Sequence, residues 1–442
     1  MEYLRLSADP FHLAWFLQGS SVQAWNQDWT GNIGTDWMSA DMFLDLARAL
    51  DRAAFDYILL EDSIYIGQNW QNSREIFLKN GMSVPRQEPS VIASLMVAAT
   101  RHLGVVPTLS TFAYHPYLTA RIVGTLDQVS GGRAGWNMVT GSSDYSGQNF
   151  GLDRLPEHDT RYTMATEYID VVTQLWDSWE PGAIVANQDT GVLTDHTKVH
   201  TIDFKGEYYA SRGPLNSGPC PQGRPVIAQA GGSARGRQIA GRYADTIVAH
   251  PKGMDAMKQY RTDVQTHMVE HGRDPASCKV LFMAYPILAD NAAQAQERAD
   301  NRRVSAARNM DARLAQLGWT INIDFSTFDL DAPVGELSTN GHQSSLAGFL
   351  RKAGKNTLRE AVIDYSSMGA CIDLVGTPDA VAGQMAEAMQ EVGGDGFLIA
   401  LPNVSRRSVA EVTDGLVPAL QRRGLVRLQY EHAHFRDNLL AF

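Results

Sequence analysis

The sequence predicts an α/β fold: a parallel sheet closed into an eight-stranded βα barrel, with long insertions after strands 2, 4 and 7. Three observations predict it. Eight short apolar runs recur at 12–17, 56–60, 103–109, 133–138, 225–229, 246–249, 280–288 and 396–401. Helical patterns separate them, and strand–helix alternation is the signature of a parallel sheet covered by its crossovers. The chain has 442 residues, and a barrel of this kind uses about 250, which leaves room for insertions. Periodicity alone also permits an open doubly wound sheet; eight repeats favour closure.

Two helices are explicit. Ala165, Tyr168, Ile169, Val172, Leu175, Trp176 and Trp179 fall at steps of three and one, which makes one continuous apolar face. Further on, Thr377 supplies an N-cap and Pro378 a first-turn proline. Val381, Met385, Ala388, Met389 and Val392 form the buried stripe, and Gly393-Gly394 ends it. The surplus length falls at about 63–89, rich in Asn, Gln and Ser; at 181–224, where Thr/Val/Tyr alternation predicts a hairpin; and at 318–365, weakly periodic and containing Ser338-Thr-Asn-Gly-His-Gln-Ser-Ser345. Long loops of this kind serve as lids or binding walls. No internal repeat or low-complexity linker divides the chain, so 1–442 reads as a single domain.

Composition narrows the function. With 44% hydrophobic and 20% charged residues, a sizeable core forms and disorder is excluded. Lys and Arg number 38 against 49 Asp and Glu, a net charge of −11. Without a basic run, such a chain repels nucleic acid and anionic lipid. Cys220, Cys278 and Cys371 are scattered, with no CxxC or zinc spacing, and read as reduced thiols of a cytoplasmic protein. No signal peptide or apolar span is evident.

In a βα barrel the chemistry sits where strands end and loops begin. Asp62, Thr108, Asn137 and Thr140 fall there and converge on one rim, although each alone reads equally as a loop cap. Gln229-Ala-Gly-Gly-Ser-Ala-Arg-Gly236 follows the fifth run and opens a helix. Its small residues let backbone amides approach an anion, and Ser233 can cap the helix, whose dipole favours phosphate. It reads equally as a plain helix cap, and matches neither GxGxxG nor the Walker pattern. His158 and Tyr162, four apart at a helix start, share a face and could bond the same phosphate; the alternative is a polar turn facing solvent. His432 and His434 have an HxH spacing used by metallohydrolases, but lie in the polar tail rather than after an early strand, so no metal is expected. Cys371 has no neighbouring base and there is no GxSxG elbow, so nucleophilic hydrolysis has no support.

Taken in order, the motifs Ser130-Gly-Gly-Arg-Ala-Gly-Trp-Asn-Met-Val-Thr-Gly141, Asn149-Phe-Gly151, Glu157-His-Asp-Thr-Arg-Tyr162, Arg212-Gly-Pro-Leu215, Gln229-Ala-Gly-Gly-Ser233 and Gly394-Asp-Gly-Phe397 resemble the nitrilotriacetate and dibenzothiophene-sulfone monooxygenase group of the bacterial-luciferase-like flavin enzymes. The resemblance runs from about residue 13 to 436. It implies a TIM barrel that takes reduced FMN from a separate NAD(P)H:flavin reductase. It also implies use of O2 to oxygenate a small organic substrate, with C–S or C–N cleavage, in a homodimer or homotetramer. Carried over, Asp62, Thr108 and Asn137 would meet the flavin ring system, and His158, Tyr162, Gly232 and Ser233 its phosphate.

A reduced flavin that has taken up oxygen loses it as peroxide if water reaches it, so a closable site is expected. The 318–365 segment would be its lid, with His342 a donor or base, and His12 a further pocket residue. The chain departs from the group's pattern at Trp25-Asn26-Gln27, where an Arg commonly follows Trp, which makes acidic substrates less favoured. It departs also at Glu61, where a small residue is usual, and in the His432–His434 tail. Two alternatives remain at this level: hydride transfer with a deazaflavin on the same barrel, and a non-catalytic flavin or ligand binder.

Overall fold

The computed structural model describes residues 9–18, 38–364 and 369–442. Its centre is the predicted closed barrel of eight parallel strands: β1 (His12–Leu17), β2 (Tyr57–Leu60), β3 (Gly104–Ser110), β4 (Gly135–Val139), β5 (Val226–Gln229), β6 (Thr246–Ala249), β7 (Lys279–Ala284) and β8 (Gly396–Ala400). Each strand pairs with its chain neighbours, and β8 returns to β1 with Gly396 opposite His12. Strands covered on both faces need apolar residues at successive positions, which is why they read as runs rather than alternations. Inside, the Tyr57 hydroxyl meets Thr246 Oγ1 at 3.0 Å and Thr246 donates to the Lys279 carbonyl at 3.1 Å. Buried polar groups are thereby satisfied.

Closure depends on one glycine. Gly396 has φ 148°, and a Cβ there would stand 2.1 Å from the His12 carbonyl oxygen. No side chain fits between β8 and β1 at that level.

Helices clothe the barrel: α1 (Asp41–Arg52), α2 (Pro89–Ala99), α3 (Pro116–Ser130), α4 (His158–Asp177), α5 (Ala234–Tyr243) and α6 (Met254–Glu270). In the insertion after β7 follow α7 (Ala292–Arg308), α8 (Met310–Ile321), α9 (Gln343–Ala353) and α10 (Leu358–Asp364), and then α11 (Pro378–Val392). The helix read from Ala165 is α4, whose Tyr168, Ile169, Val172, Leu175 and Trp176 are buried as expected; Trp179, read on the same face, is corrected, since the helix ends at Asp177 and Trp179 bridges Val199 instead. The helix opened by Thr377 is α11, capped by the Thr377 side chain and stopped by Gly393 at φ 62°.

The insertions follow the prediction in place but not always in form. That before β5 carries two hairpins, Ile184–Asn187 with Val192–Thr194 and Phe204–Lys205 with Ala210–Ser211. The 318–365 segment was expected as a weakly periodic loop, and this is corrected. It contains the end of α8 and the helices α9 and α10, continues an insertion that begins earlier with α7, and builds a second apolar cluster. Leu314, Ile321, Phe325, Leu346, Phe349 and Leu358 pack there with Trp70 and Phe77 from the insertion after β2. Its apolar residues belong to separate helices joined by a polar stretch, so no single period shows. The run 280–288 likewise splits, β7 ending at Ala284 and Ile287–Leu288 pairing instead with Val375–Gly376. Pro286, lacking an N–H, stands at the break.

Candidate active site

A cavity of about 470 Å³ opens over the C-terminal ends of the barrel strands, the end where βα barrels carry their sites. Asp62, Thr108, Asn137, His158, Tyr162, Gly232, Ser233 and His342 all line it. His12 does not, and this expectation is corrected. It lies at the opposite, N-terminal end of β1. Its Nδ1 faces Asp56 Oδ1 at 2.9 Å, its Nε2 faces the Phe442 carbonyl at 3.1 Å, and its ring stacks on Phe442 at 4.3 Å. Asp56 also accepts from the Leu13 N–H and Arg427. A histidine at the start of a strand belongs to the closed bottom of the barrel, not its mouth. The His432–His434 tail lies at that same end, where His434 packs on Gly132, next to Arg133, which precedes β4. Trp25, Asn26 and Gln27 fall outside the described residues.

One end of the cavity gathers the amino ends of α4 and α5. Ser233 is the N-cap of α5, its Oγ accepting from the Gly236 N–H at 3.1 Å. The Tyr162 hydroxyl lies near the Ser233 and Thr140 side chains, and burial raises its pKa above the usual phenol value. His158 packs its ring 4.9 Å from that of Tyr162 and faces Asp159 at 2.8 Å. Gly232 sits in this cradle with no room for a side chain, since a Cβ would meet Ser344 Oγ at 2.4 Å. The two clusters read separately from the sequence are therefore one site, joined because α4 and α5 begin on the same rim.

The floor is formed by β3 and β4. Thr108 donates to the Leu60 carbonyl at 2.6 Å and accepts from Asn137 Nδ2 at 2.7 Å. Asn137 Oδ1 and Ser110 Oγ, both buried, have no hydrogen-bond partner among the described residues. Unpaired buried polar atoms at a cavity are positions a ligand can satisfy. Asp62 stands beside them with its pKa pushed up to about 7, mainly by burial and next by Glu61, while Arg86 opposes the rise. Glu61, the residue that departed from the pattern, is held at 2.5 Å by Arg86 from the insertion after β2.

The roof comes from the insertions. Tyr65 and Trp319 stack at 5.7 Å, the Tyr65 hydroxyl donates to the Trp319 carbonyl at 3.3 Å, and Arg86 lies 5.9 Å from the Trp319 ring. His342, at the amino end of α9, is open to the cavity but surrounded by its walls; that enclosure, and then Arg161, lowers its pKa to about 4. Sequence reasoning missed four contributors: Arg161, Trp319, Asn340 and His250. His250, one residue past β6, has its pKa lowered to about 4 by burial and then by Lys252. Its strand-end position was the available signal, the same rule that found Asp62; the roof residues gave none, because only folding brings them over the barrel.

A barrel whose mouth opens into a deep cavity with a polar floor under an aromatic roof has the form of a small-molecule or cofactor site. Comparison with known proteins supplies the family. Residues 18–396 match the luciferase-like monooxygenase family, and the chain belongs to that flavin-dependent family. It is 31% identical to dibenzothiophene-sulfone monooxygenase of Rhodococcus erythropolis (strain XP), covering 97% of this chain and 96% of that protein. It is 33% identical to nitrilotriacetate monooxygenase component A of Aminobacter aminovorans, over 90% and 89% of the two chains. Among solved structures it resembles a riboflavin lyase crystallised with modified FMN and riboflavin, with TM-score 0.88, 29% identity, and coverage of 98% and 96%. The protein is thus a luciferase-like monooxygenase, and its family includes two-component members. Among the described residues no helix is long and apolar enough to cross a membrane.

Proposed function

We propose that this chain is the oxygenating component of a two-component system, using FMNH2 from a separate reductase and O2 to oxygenate a small organic substrate. The observation that carries this reading is the continuity of the cavity, from the Ser233–Tyr162 cradle to the unpaired Asn137 and Ser110 oxygens. FMN has both parts: a phosphate for the cradle, and a ring with N–H and C=O groups for the floor. When bound, the reduced flavin would supply the activation of dioxygen for transfer of one oxygen atom.

The chain's own residues do the rest. Ser233, Tyr162, His158 and the amides about Gly232 hold the phosphate. Asn137, Thr108 and Asp62 face the ring system, and Asp62, titrating near neutrality, exchanges a proton with the flavin edge or substrate. His342, neutral above about pH 4, accepts a proton from the substrate side. The α8–α9 roof excludes water, which would otherwise divert the reaction to peroxide. Asp62 and Glu61 give the substrate end an acidic lining, Arg86 is already engaged by Glu61, and the Tyr65–Trp319 stack offers a flat apolar surface. That balance favours uncharged, planar organosulfur or amine compounds over polycarboxylates, with C–S or C–N cleavage as the outcome.

The test mixes purified protein with a flavin reductase, NADH, FMN and a panel of sulfones, thioethers, amines and aminopolycarboxylates, scored by product mass. Oxygenated or cleaved product should form only with FMN and air. Turnover in the absence of oxygen would replace this reading with hydride transfer, and flavin binding without product from any compound would leave a binding protein.

A further inference from the structure

Arg161 is a cation buried at the anion cradle without a counter-ion. It lines the cavity, is 4% exposed, and makes no ion pair with any described carboxylate. Asp144 and Glu157 reach it only at longer range, and Asp144 is already engaged by the Leu155 N–H at 2.9 Å. A buried guanidinium with no paired anion is costly unless something negative joins it. Its neutral partners are specific. Nη1 donates to the Pro156 carbonyl at 2.6 Å and to Asn340 Oδ1 at 3.4 Å, and Nη2 to the Asn340 carbonyl at 3.0 Å, while Nε has no partner among the described residues. Asn340 belongs to the stretch between α8 and α9, and its Oδ1 accepts from the His158 N–H at 3.0 Å. Glu157, the N-cap of α4, makes no side-chain cap of its own, so Asn340 caps that helix from the insertion. Four residues further on, Ser344 lies against Gly232 of the cradle.

We infer that Arg161 couples the phosphate site to the insertion: its charge balances the bound phosphate dianion, and its fork holds the Asn340–Ser344 segment closed over it. The inference rests on the FMN reading and adds to it a positioning residue and a reason for the insertion to close only on the phosphorylated cofactor. Riboflavin has the same ring system without the phosphate, so the pair of ligands separates this role from general support of the fold. A planar two-pronged grip is not reproduced by lysine, although the charge is.

The experiment measures FMN and riboflavin affinity by flavin fluorescence for the native chain, Arg161→Met and Arg161→Lys, with hydrogen exchange read at 338–345. FMN should slow exchange there in the native chain and riboflavin should not. In Arg161→Met, FMN affinity should fall about tenfold or more while riboflavin affinity changes less than about twofold, as loss of a charge partner specific to phosphate requires. Arg161→Lys should recover part of the FMN affinity without restoring the slowed exchange, and it carries the comparison if the Met variant fails to fold by circular dichroism. Equal weakening of both flavins, or unchanged FMN binding, overturns the coupling while leaving the proposed function standing. A native chain that binds no FMN overturns both.

Discussion

At the residue scale, environment decides what each polar side chain can do. Ser233 caps α5 where a phosphate is proposed to sit. In Ser233→Asp a carboxylate would face that phosphate; at an effective dielectric near 20, like charges about 4 Å apart cost on the order of 4 kcal/mol before screening. FMN affinity by fluorescence quenching should fall at least about tenfold, and unchanged binding would remove Ser233 from the site. Tyr162→Phe should cost less, about 0.5–1.5 kcal/mol for one hydrogen bond. Asp62 makes a prediction about pH. Its pKa of about 7 in the fold lies above the ordinary carboxyl value, so the native state holds its proton more tightly than the unfolded chain. Stability contributed by the neutral acid is present at low pH and lost as pH rises through 7. Asp62→Asn should therefore raise the ligand-free melting temperature at pH 8 and change it little near pH 4; a uniform shift would contradict the assignment. His342→Gln should leave FMN binding intact and shift consumed NADH from product to peroxide, read by the ratio of the two.

At the element scale, the insertion after β7 behaves as a unit with its own core, where Phe349 is fully buried against Phe325. Phe349→Ala should cost the insertion about 3–5 kcal/mol. Because that cluster is separate from the barrel core, limited proteolysis should cut first within the insertion while the barrel stays intact. Simultaneous loss of both would show a single cooperative unit. The helices themselves were legible where capping and apolar spacing agree, as at Thr377–Gly393 and Ala165–Trp176. The roof helices were not, because their apolar faces pair with Trp70 and Phe77, residues far away in sequence that no local period can register.

At the scale of the whole molecule, closure of the barrel puts eight strand ends on one rim, and the cavity opens over that rim. Gly396→Ala forces a Cβ into the His12 backbone at the closing seam. It should lower stability by about 3 kcal/mol or more, seen as a shift of the urea midpoint; a midpoint within error of the native one would mean the seam opens easily. By itself the sequence determined the eight runs, the barrel they build and the two residue clusters proposed to hold the phosphate, because those depend on local periodicity, on glycine spacing and on residues adjacent to strand ends. Only the tertiary structure decided that His12 belongs to the barrel bottom, that Glu61 is engaged by Arg86, that Arg161, His250 and Trp319 complete the cavity, and that Asn340 bonds Arg161 beside it. Those contacts join segments far apart in the chain, 430 residues for His12 to Phe442 and 254 for Tyr65 to Trp319, and their partners are set by how the terminus and the insertions fold back on the barrel, which no local pattern encodes.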